Sequence, residues 1–368
     1  MGNFTAIIPA AGLSSRMKLF KPLLPFGSSL VIEKTVNTFK QAGITDIRVV
    51  VGYKRNLLQR FLNGLSVKSI VNYNYMEGMH SSIIAGVATL DNATEAFFVL
   101  PGDCPFIQPG TIIEMQNVYV RNFTNIVYPT YHGQRGHPVL ISSGLISKIL
   151  TEDISKGLRS LLEQQEKFIE MPVDDPGVTY DMDSISDYLS FPGNNADPFP
   201  SEEECMALLK KTNVQEKVVA HSKEVSRIGI ILAEYLNSTG LRINTGLVMA
   251  AGFLHDIMKG QHDHAHKGAD ILSGIGYKRI ADIIAQHVDI SNNALEEINE
   301  AAILYLADKI MKEDKPVLLE ERLADSMSKH AHDGSAINNI KKRFNNAFLI
   351  KSRIEKIIGL KIEDILKD

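Results

Sequence analysis

Residues 191–201, Phe-Pro-Gly-Asn-Asn-Ala-Asp-Pro-Phe-Pro-Ser, separate two parts of the chain that have different patterns. The three prolines and several turn-forming residues of this segment can continue neither a helix nor a central strand. The chain has 368 residues, 44% hydrophobic and 22% charged, so two globular domains with full cores are expected. We predict a first domain over residues 1–192, a linker over residues 193–203 and a second domain over residues 204–368.

The first part alternates short apolar runs, rich in β-branched residues, with amphipathic stretches of helical period. The strand-like runs lie at residues 4–8, 47–52, 67–71, 97–103, 126–129 and 138–141, and the helix-like stretches lie at residues 30–41, 56–63, 81–90 and 112–120. This alternation predicts an α/β domain with a mostly parallel sheet. Ligands of such sheets bind beyond the carboxyl ends of the strands, where the loop after residue 8 and Asp103 are both expected.

The second part has helical periodicity throughout, which predicts an all-α domain. Ser201 is followed by three glutamates, a pattern that is typical of a helix N-cap with an acidic first turn. Helix-like segments follow at residues 214–236, 244–258, 264–274, 277–287, 293–311, 317–330 and 337–358.

Composition argues against several classes of protein. The net charge of -4 disfavours a general nucleic-acid-binding protein. The two cysteines, Cys104 and Cys205, lie far apart, which argues against a disulfide framework and favours a reducing compartment. The longest apolar stretch, around residues 246–254, is too short to cross a bilayer, and no signal peptide is visible. We therefore expect a cytoplasmic protein with neither a nucleic-acid nor a membrane partner.

The stretch from Phe4 to Lys21 has the outline of a phosphate-binding loop. Its apolar start predicts a buried strand, which breaks at Pro9 and passes through small residues to Gly12. The rest of this stretch carries hydroxyl and cationic side chains, among them Ser14, Ser15, Arg16 and Lys21. The backbone N–H groups of such a loop can surround a phosphate while the cations balance its charge. An ordinary connection between a strand and a helix remains the alternative.

Two acidic positions are candidate ligands for a metal ion. Asp103 follows a strand in Pro-Gly-Asp-Cys-Pro and is placed to hold Mg²⁺ against phosphate oxygens, unless it only caps the next helix. Asp183 lies in an acidic segment before a short helix and is a candidate second ligand. Ser184 and Asp187 in the same segment also fit a simple capping pair.

Two further motifs carry candidate substrate contacts. Glu-Gly-Met-His-Ser-Ser is a turn followed by a helix start, so Ser81 or Ser82 is a candidate contact for a phosphate or a base. Gly-His-Pro forms a rigid corner, and its His137 is a candidate contact for an anionic substrate.

Taken in order, these motifs resemble the molybdenum cofactor cytidylyltransferase family, a branch of the Rossmann-like nucleotidyltransferases. The resemblance covers residues 4–190 and rests on Pro-Ala-Ala-Gly-Leu-Ser-Ser-Arg-Met, Lys-Pro-Leu-Leu-Pro, Val-Gly-Tyr, Glu-Gly-Met-His-Ser-Ser, Gly-Asp-Cys-Pro, Gly-His-Pro-Val-Leu and Asp-Met-Asp-Ser. It implies that CMP is transferred from CTP to molybdopterin carrying molybdenum, giving molybdopterin cytosine dinucleotide and pyrophosphate. Lys18 departs from the family pattern, because relatives usually carry Gly at this position.

The resemblance also implies roles for single residues. Arg16, Lys21 and Asp103 would be catalytic, with Mg²⁺ held by Asp103 and Asp183, and His137 would bind the acceptor. The nucleotide-binding residues would be Ala10, Ala11, Gly12, Ser14, Ser15, Ser81 and Ser82, and Ala-Ala-Gly looks like the cytidylyl branch rather than the guanylyl branch.

Two other functions remain open for the first part. It fits cytidylyl transfer to another small phosphate, such as a polyol or an isoprenoid precursor. It also fits a carrier or chaperone that binds the finished cofactor and docks a molybdoenzyme of the xanthine-dehydrogenase type. In that case the nucleotide loop would be vestigial.

The second part brings histidines and aspartates onto several predicted helices. His221, the adjacent His255 and Asp256, and Asp308 lie on different helices, which is a pattern for a metal site inside a helical bundle. Imidazole and carboxylate ligands suit Mn²⁺, Fe or Mg²⁺. His264 and His287 would add a second ion, with Asp256 as the bridge, and two such ions activate water for phosphoester hydrolysis. Each histidine alone also fits a surface or core residue.

This order of residues resembles the HD phosphohydrolase superfamily over residues 214–312, and its spacing resembles the subgroup that binds two metals. The resemblance implies one or two divalent ions such as Mn²⁺ or Fe²⁺ and hydrolysis of a phosphomonoester or phosphodiester. Val288 departs from the pattern, since some two-metal relatives carry a second consecutive His there. A metal-sensing or regulatory domain is the non-enzymatic alternative.

Overall fold

The chain forms two compact units, which span residues 1–194 and 195–368. The computed structural model describes residues 2–152, 157–191 and 196–367. Residues 193–195 of the predicted linker lie outside the described residues. The first helix of the second unit begins at Glu202, after the predicted N-cap Ser201, whose hydroxyl accepts a hydrogen bond from the Glu204 amide.

Strands and helices alternate along most of the first unit. Its strands are β1 (Phe4–Pro9), β2 (Pro25–Phe26), β3 (Ser29–Leu30), β4 (Asp46–Val51), β5 (Lys68–Val71), β6 (Ala96–Val99), β7 (Ile126–Tyr131), β8 (Gln134–Arg135), β9 (Val139–Ser142) and β10 (Phe168–Pro172). Its α-helices are α1 (Val31–Gln41), α2 (Arg55–Leu62), α3 (Met79–Val87), α4 (Pro109–Asn122), α5 (Ile146–Thr151), α6 (Leu158–Leu162) and α7 (Ile185–Ser190).

One sheet organises the first unit, in the order β10-β7-β9-β6-β1-β4-β5, with β8 paired to β7. The pairs β1–β4, β1–β6, β4–β5 and β7–β10 are parallel. β9 is antiparallel to both β6 and β7, and β8 is antiparallel to β7. The other strands of this sheet all run in one direction, and β2 and β3 form a separate antiparallel pair. The predicted α/β fold with a mostly parallel sheet is therefore confirmed.

The central position of β1 brings two loops of the first unit together. All six residues of β1 are buried, as expected for a strand covered on both faces. At its carboxyl end, the Gly102 amide donates to the Pro9 carbonyl at 2.8 Å. A Cβ on Gly102 would lie 2.9 Å from the Ala10 Cβ, so glycine permits this close approach. The loop after β1 therefore lies beside the loop that carries Asp103.

The strand β10 differs from the prediction, which places no strand at that position. Met171 is its one buried residue, and the strand lies at the edge of the sheet, paired with β7 alone. A short edge strand with so little apolar burial has a weak sequence signal. Hydrogen bonding to β7 holds β10 in the strand conformation, and its sequence alone does not indicate this pairing.

The second unit is helical apart from one short hairpin. Its helices are α8 (Glu202–Lys211), α9 (Glu216–Asn237), α10 (Thr245–Leu254), α11 (His264–Gly274), α12 (Lys278–Ile284), α13 (Asn292–Glu296), α14 (Glu300–Lys309), α15 (Leu319–Lys329), α16 (Gly334–Ile358) and α17 (Ile362–Ile365). The helical second domain is thus confirmed. Among the described residues, no helix has both the length and the apolar character needed to cross a membrane.

The prediction of a single helix over residues 293–311 is wrong. Two helices, α13 and α14, occupy this region, because Asn299 caps α14 by accepting a hydrogen bond from the Ala302 amide at 3.0 Å. After α14, an antiparallel hairpin joins β11 (Met311–Lys312) to β12 (Lys315–Pro316). This hairpin is the one departure from the all-α prediction among the described residues of the unit.

Close contact between α9 and α10 forms the centre of the second unit. All ten residues of α10 are buried. A Cβ on Gly252 would lie 2.5 Å from Ser226 Cα and 2.8 Å from Ser226 N, so only glycine lets the two backbones approach in this way. His255 follows the last turn of α10, and its position depends on this contact.

We predict that Gly252→Ala destabilises the second unit by about 1–3 kcal/mol, because the added methyl group must push α9 and α10 apart. The matched control is Gly274→Ala at the end of α11, where an added Cβ meets nothing within 4 Å. Thermal unfolding followed by circular dichroism measures both. Equal stability of the Gly252→Ala protein and the wild type would contradict the packing described here.

Candidate active sites

The loop that follows β1 exposes backbone at the edge of the sheet. Ala10 and Ala11 are buried beneath it, whereas Gly12, Ser15 and the intervening residues are more accessible. Ser14 has a φ of 51°, and its hydroxyl accepts a hydrogen bond from the Lys21 amide at 3.4 Å. This contact places the Ser14 hydroxyl beside the backbone of Lys21, and phosphate binding by the loop stays a prediction.

Lys18 lies in this loop with a φ of 56°, in the left-handed region that glycine adopts without strain. The family pattern that the sequence resembles has glycine at this position, and the backbone conformation explains that preference. The Lys18 amide donates to the Ser14 carbonyl at 3.0 Å in this conformation. The lysine adds an exposed cation between Arg16 and Lys21 in the sequence.

Two cations and two carboxylates meet beside the loop. Lys21 Nζ lies 3.0 Å from Asp103 Oδ2 and 3.7 Å from Asp183 Oδ1. Arg16 forms an ion pair with the second of these carboxylates. Asp103 and Asp183 lie 80 positions apart in the sequence, yet both carboxylates contact the ammonium group of Lys21. Because Mg²⁺ prefers carboxylate oxygens, a donor set that already gathers around one cation fits this ion.

Ser81 and Ser82 are buried in an internal network. Asn72 Nδ2 donates to Ser81 Oγ at 2.9 Å and to Ser82 Oγ at 3.0 Å. Ser81 Oγ in turn donates to backbone carbonyls of Asn74 and Gly78. These contacts brace the turn before α3, and nucleotide binding by the two serines stays a prediction.

His137 borders a cavity of the first unit that has a volume of about 720 Å³. Its amide donates to the Val178 carbonyl at 2.7 Å, and its Nδ1 atom is buried without a hydrogen-bond partner. Burial lowers the pKa of His137, although Asp181 and Asp103 act in the opposite direction. A neutral imidazole at the wall of this cavity can donate or accept a hydrogen bond from a ligand.

The walls of the cavity are mainly apolar. They are formed by side chains from several elements, including Ile83, Val99, Tyr128, Val139, Leu158 and Leu162. Arg135 adds a planar cation whose Cζ lies 4.5 Å from the ring centre of Tyr128 and 4.6 Å from that of Phe168. Sequence reasoning misses Arg135 because only the pairing of β7 with β8 and β10 brings the three side chains together.

In the second unit, the predicted ligands form two groups. In the first group, His221, His255 and Asp308, the potential ligand atoms all lie within 4.8 Å of one another. The same holds for the second group, Asp256, His264 and His287. α9, α11 and α14 carry His221, His264 and Asp308, while His255 and His287 follow the ends of α10 and α12. All six candidate ligands are therefore brought to one region of the unit.

Hydrogen bonds fix the rings of three histidines. The Nδ1 atoms of His221, His255 and His287 lie 2.6, 2.8 and 2.6 Å from the carbonyl oxygens of Glu313, Gly252 and Ile284. A carbonyl can only accept, so each Nδ1 carries the proton and each Nε2 keeps its lone pair when the ring is neutral. Histidine ligands of metals use this arrangement, in which a hydrogen bond at one nitrogen orients the other.

The spacing of ligand atoms in the second group suits a shared ion. Nε2 of His264 lies 3.2 Å from Nε2 of His287 and 3.2 Å from Asp256 Oδ1. Ligands about 2.1 Å from one ion, at angles of 90–110°, are separated by roughly 3.0–3.4 Å. Asp256 Oδ2 faces the other group, at 3.5 Å from His255 Nε2. The Asp256 carboxylate is therefore placed between the two groups.

Two buried polar atoms in this region, His255 Nε2 and Asp256 Oδ1, make no hydrogen bond of good geometry, and the 3.2 Å contact of Asp256 Oδ1 with His264 Nε2 is an ion-pair distance only. Unpartnered buried polar atoms are costly, by about 1–3 kcal/mol each. Both atoms belong to the candidate ligand set, and a divalent ion would satisfy both. The residues present therefore fit the metal that the sequence predicts.

Charges around the two groups favour a bound cation. Burial lowers the pKa of His287. Burial also acts to lower the pKa of His255, but Asp256 and Asp308 act against it and raise the net value. Although burial opposes ionisation, neighbouring histidines hold the pKa of Asp256 below its usual range, and Lys309 together with neighbouring histidines does the same for Asp308. The buried Asp256 and the partly buried Asp308 therefore stay ionised, and their negative charge favours a cation among the facing imidazoles.

Two protein families match this chain. Residues 6–168 match the family described as MobA-like NTP transferase domain, and residues 218–312 match the HD domain. The chain carries a MobA-like NTP transferase domain and an HD domain. It is therefore an enzyme with a nucleotidyltransferase domain, and its HD domain indicates phosphohydrolase chemistry and binding of divalent metal.

Relatives of the MobA-like NTP transferase domain include proteins of different length. The molybdenum cofactor cytidylyltransferase of Escherichia coli (strain K12) is 26% identical over 191 residues, which are 52% of this chain and 96% of that protein. The bifunctional protein GlmU of Symbiobacterium thermophilum is 35% identical over 124 residues, 33% of this chain and 26% of that protein. The chain thus spans about a quarter of the length of GlmU. A solved nucleotidyl transferase from Methanothermobacter thermautotroptrophicus is 22% identical, with a TM-score of 0.45 over 51% of this chain and 95% of that one.

We predict that His137 of the MobA-like NTP transferase domain titrates below pH 6.5, the ordinary value for histidine, because burial disfavours its charged form. The unfolded chain then binds a proton more readily than the folded domain, so acidification below pH 6.5 lowers the stability of the domain and a higher pH restores it.

NMR titration of protein with ¹³C-labelled histidine rings measures this value, and the His137→Asn protein assigns the signal. The exposed His132, five residues earlier, supplies an internal comparison within the same domain. A midpoint at or above 6.5 for His137 would contradict the effect of burial.

Proposed function

We propose that the MobA-like NTP transferase domain transfers CMP from CTP to molybdopterin carrying molybdenum, with release of pyrophosphate. The observation that carries the proposal is the cluster of Arg16, Lys21, Asp103 and Asp183 beside the exposed loop after β1. The similarity to a molybdenum cofactor cytidylyltransferase over 96% of that protein's length supports this choice of nucleotide and acceptor.

The charges of the cluster suit attack by one phosphate on another. Both the acceptor phosphate and the triphosphate are anionic, so catalysis consists mainly of neutralising and aligning them. Lys21 is buried and held by two carboxylates, which fixes its ammonium at the edge of the site. Arg16 is exposed and can follow the phosphates of the incoming nucleotide. Mg²⁺ bound by Asp103 and Asp183 would neutralise the negative charge that develops on the phosphate oxygens.

The cavity beside His137 favours an acceptor with a flat ring system rather than a polyol phosphate. Apolar side chains such as Ile83, Val99 and Leu158 suit a flat ring, and Gln134, Arg159 and Asp181 add hydrogen-bonding groups to the same lining. The Arg135 guanidinium lies on the faces of Tyr128 and Phe168, and such planar groups stack well on heteroaromatic rings. The acceptor phosphate would then extend from the cavity towards Asp103, two residues beyond the cavity residue Pro101.

The ionic cluster also favours an active transferase over a carrier with a vestigial nucleotide loop. Buried charge is retained at a cost, and Lys21 with its two carboxylates has a clear use in phosphate chemistry. Docking of a molybdoenzyme of the xanthine-dehydrogenase type stays a prediction from the sequence, as does a cytoplasmic location.

We infer that the HD domain hydrolyses a phosphate ester with two divalent ions, such as Mn²⁺ or Fe²⁺. His221, His255 and Asp308 would hold one ion, and Asp256, His264 and His287 the other. Ions in these positions would supply an activated water for attack on phosphorus. Val288 replaces a second consecutive histidine of some relatives, but the second group already has three ligand atoms without it. Lys259, which pairs with Asp256 at 2.8 Å, adds a positive charge near the site.

We predict that Asp103→Asn reduces cytidylyl transfer by at least roughly 10²–10³-fold, because the site loses a charged ligand for Mg²⁺. Pyrophosphate release with CTP and molybdopterin measures transfer, and thermal unfolding checks that the domain stays folded. Pyrophosphate release from CTP without any need for the pterin would favour the rival acceptors. Normal turnover of the variant would contradict the assignment of Asp103 as a catalytic ligand for Mg²⁺.

We predict that Asp308→Ala loses metal and phosphohydrolase activity while cytidylyl transfer continues. Elemental analysis gives the metal content, and a panel of phosphate esters with Mn²⁺ and Fe²⁺ gives the hydrolase activity. Together with Asp103→Asn, this variant makes a reciprocal pair in which each protein keeps one activity. Hydrolysis by the Asp308→Ala protein at the wild-type rate would refute the assigned site. Metal binding without hydrolysis of any ester by the wild type would favour a metal-sensing domain.

A further inference from the structure

Lys309 makes three contacts beside the metal-ligand groups of the HD domain. Its Nζ donates to Asp308 Oδ2 at 2.7 Å and to the backbone carbonyl of His287 at 3.1 Å. The same atom lies 4.7 Å from the ring centre of Tyr305, within the range of a cation–π contact. The Lys309 side chain is only 14% exposed, so the ammonium is held on several sides by protein.

These contacts determine how Asp308 can act as a ligand. Since Oδ2 is occupied by the ammonium, Oδ1 is the oxygen that faces His221 Nε2 at 3.2 Å and His255 Nε2 at 3.7 Å. Asp308 thereby presents one oxygen to the first ligand group in a fixed orientation. The contact with the His287 carbonyl joins this carboxylate to the backbone of a ligand in the second group.

Lys259 offers a direct comparison, because it pairs with the other buried carboxylate of the site. Its Nζ lies 2.8 Å from Asp256 Oδ2, yet its side chain is 49% exposed. It is a half-exposed counter-charge, whereas Lys309 is an enclosed ammonium with two acceptors and an aromatic face. The two lysines therefore carry the same charge beside equivalent carboxylates but differ in how firmly they are held.

We propose that Lys309 is a positioning residue, which fixes Asp308 in the orientation required to bind the ion of the first group. The inference rests on the proposed two-metal site of the HD domain. A lysine close to a cation site repels the cation by charge alone, so a mere counter-charge would weaken metal binding. A positioning residue has the opposite effect, because partners that orient a ligand strengthen binding by about 10–100-fold.

The test measures Mn²⁺ binding to the full chain by electron paramagnetic resonance of the unbound ion. His264→Ala serves as the background, because it removes a ligand of the second group and leaves the first group for titration. In this background, Lys309→Met is expected to weaken Mn²⁺ binding by about 10–100-fold. Lys309→Arg keeps the charge and the donors, and it is expected to restore most of the affinity. Lys259→Met, which removes the comparable charge, is expected to leave the affinity equal or higher.

Each outcome decides between the two roles. Mn²⁺ affinity in the Lys309→Met protein that equals or exceeds the parent value, as for Lys259→Met, would overturn the proposal. Equal loss in the Met and Arg variants would also overturn it, since the cationic donor would then be irrelevant. Unfolding of the metal-stripped proteins in EDTA separates loss of fold from loss of affinity. Failure of the wild-type chain to bind Mn²⁺ at all would instead refute the proposed metal site.

Discussion

Pairing of buried or partly buried carboxylates with basic groups sets the structure of both sites. A carboxylate removed from water is strongly unfavourable unless a cation or hydrogen-bond donors compensate it. In the first unit Lys21 is the buried charge, and the more exposed Asp103 and Asp183 supply its compensation at the carboxyl end of β1. In the second unit, Asp256 and Asp308 lie among imidazoles and lysines at the ends of helices. In both units these pairings join segments that lie far apart in the sequence.

The sequence predicts this arrangement well where a pattern is local. The apolar run of β1, the N-cap at Ser201 and the bounds of α11, residues 264–274, all follow from short-range rules. It predicts poorly where order comes from neighbours in space. β10 has one buried residue and depends on its pairing with β7, and the hairpin after α14 has only two residues in each strand.

The same distinction applies to the sites. Residues with a chemical signature, such as His255 and Asp308, can be named from their types and order. Arg135 and Lys309 cannot, because a lone arginine or lysine in a sequence is usually a solvated surface residue. Their roles depend on the aromatic rings and carbonyl oxygens that the fold places around them. The tight packing of Ser81 likewise depends on Asn72, nine positions away, and no motif indicates it.

The two sites also differ in how complete they are before a substrate binds. Asp103 and Asp183 are 33% and 52% exposed, and they offer only oxygen atoms. Mg²⁺ usually enters such sites with phosphate oxygens as its remaining ligands, so the triphosphate would complete the first site. His255 and Asp256 are 0% and 1% exposed, and backbone carbonyls already orient the imidazole rings. If both sites bind metal as proposed, the preformed nitrogen-rich site would keep its ions between turnovers, whereas the ion of the first site would arrive with each nucleotide.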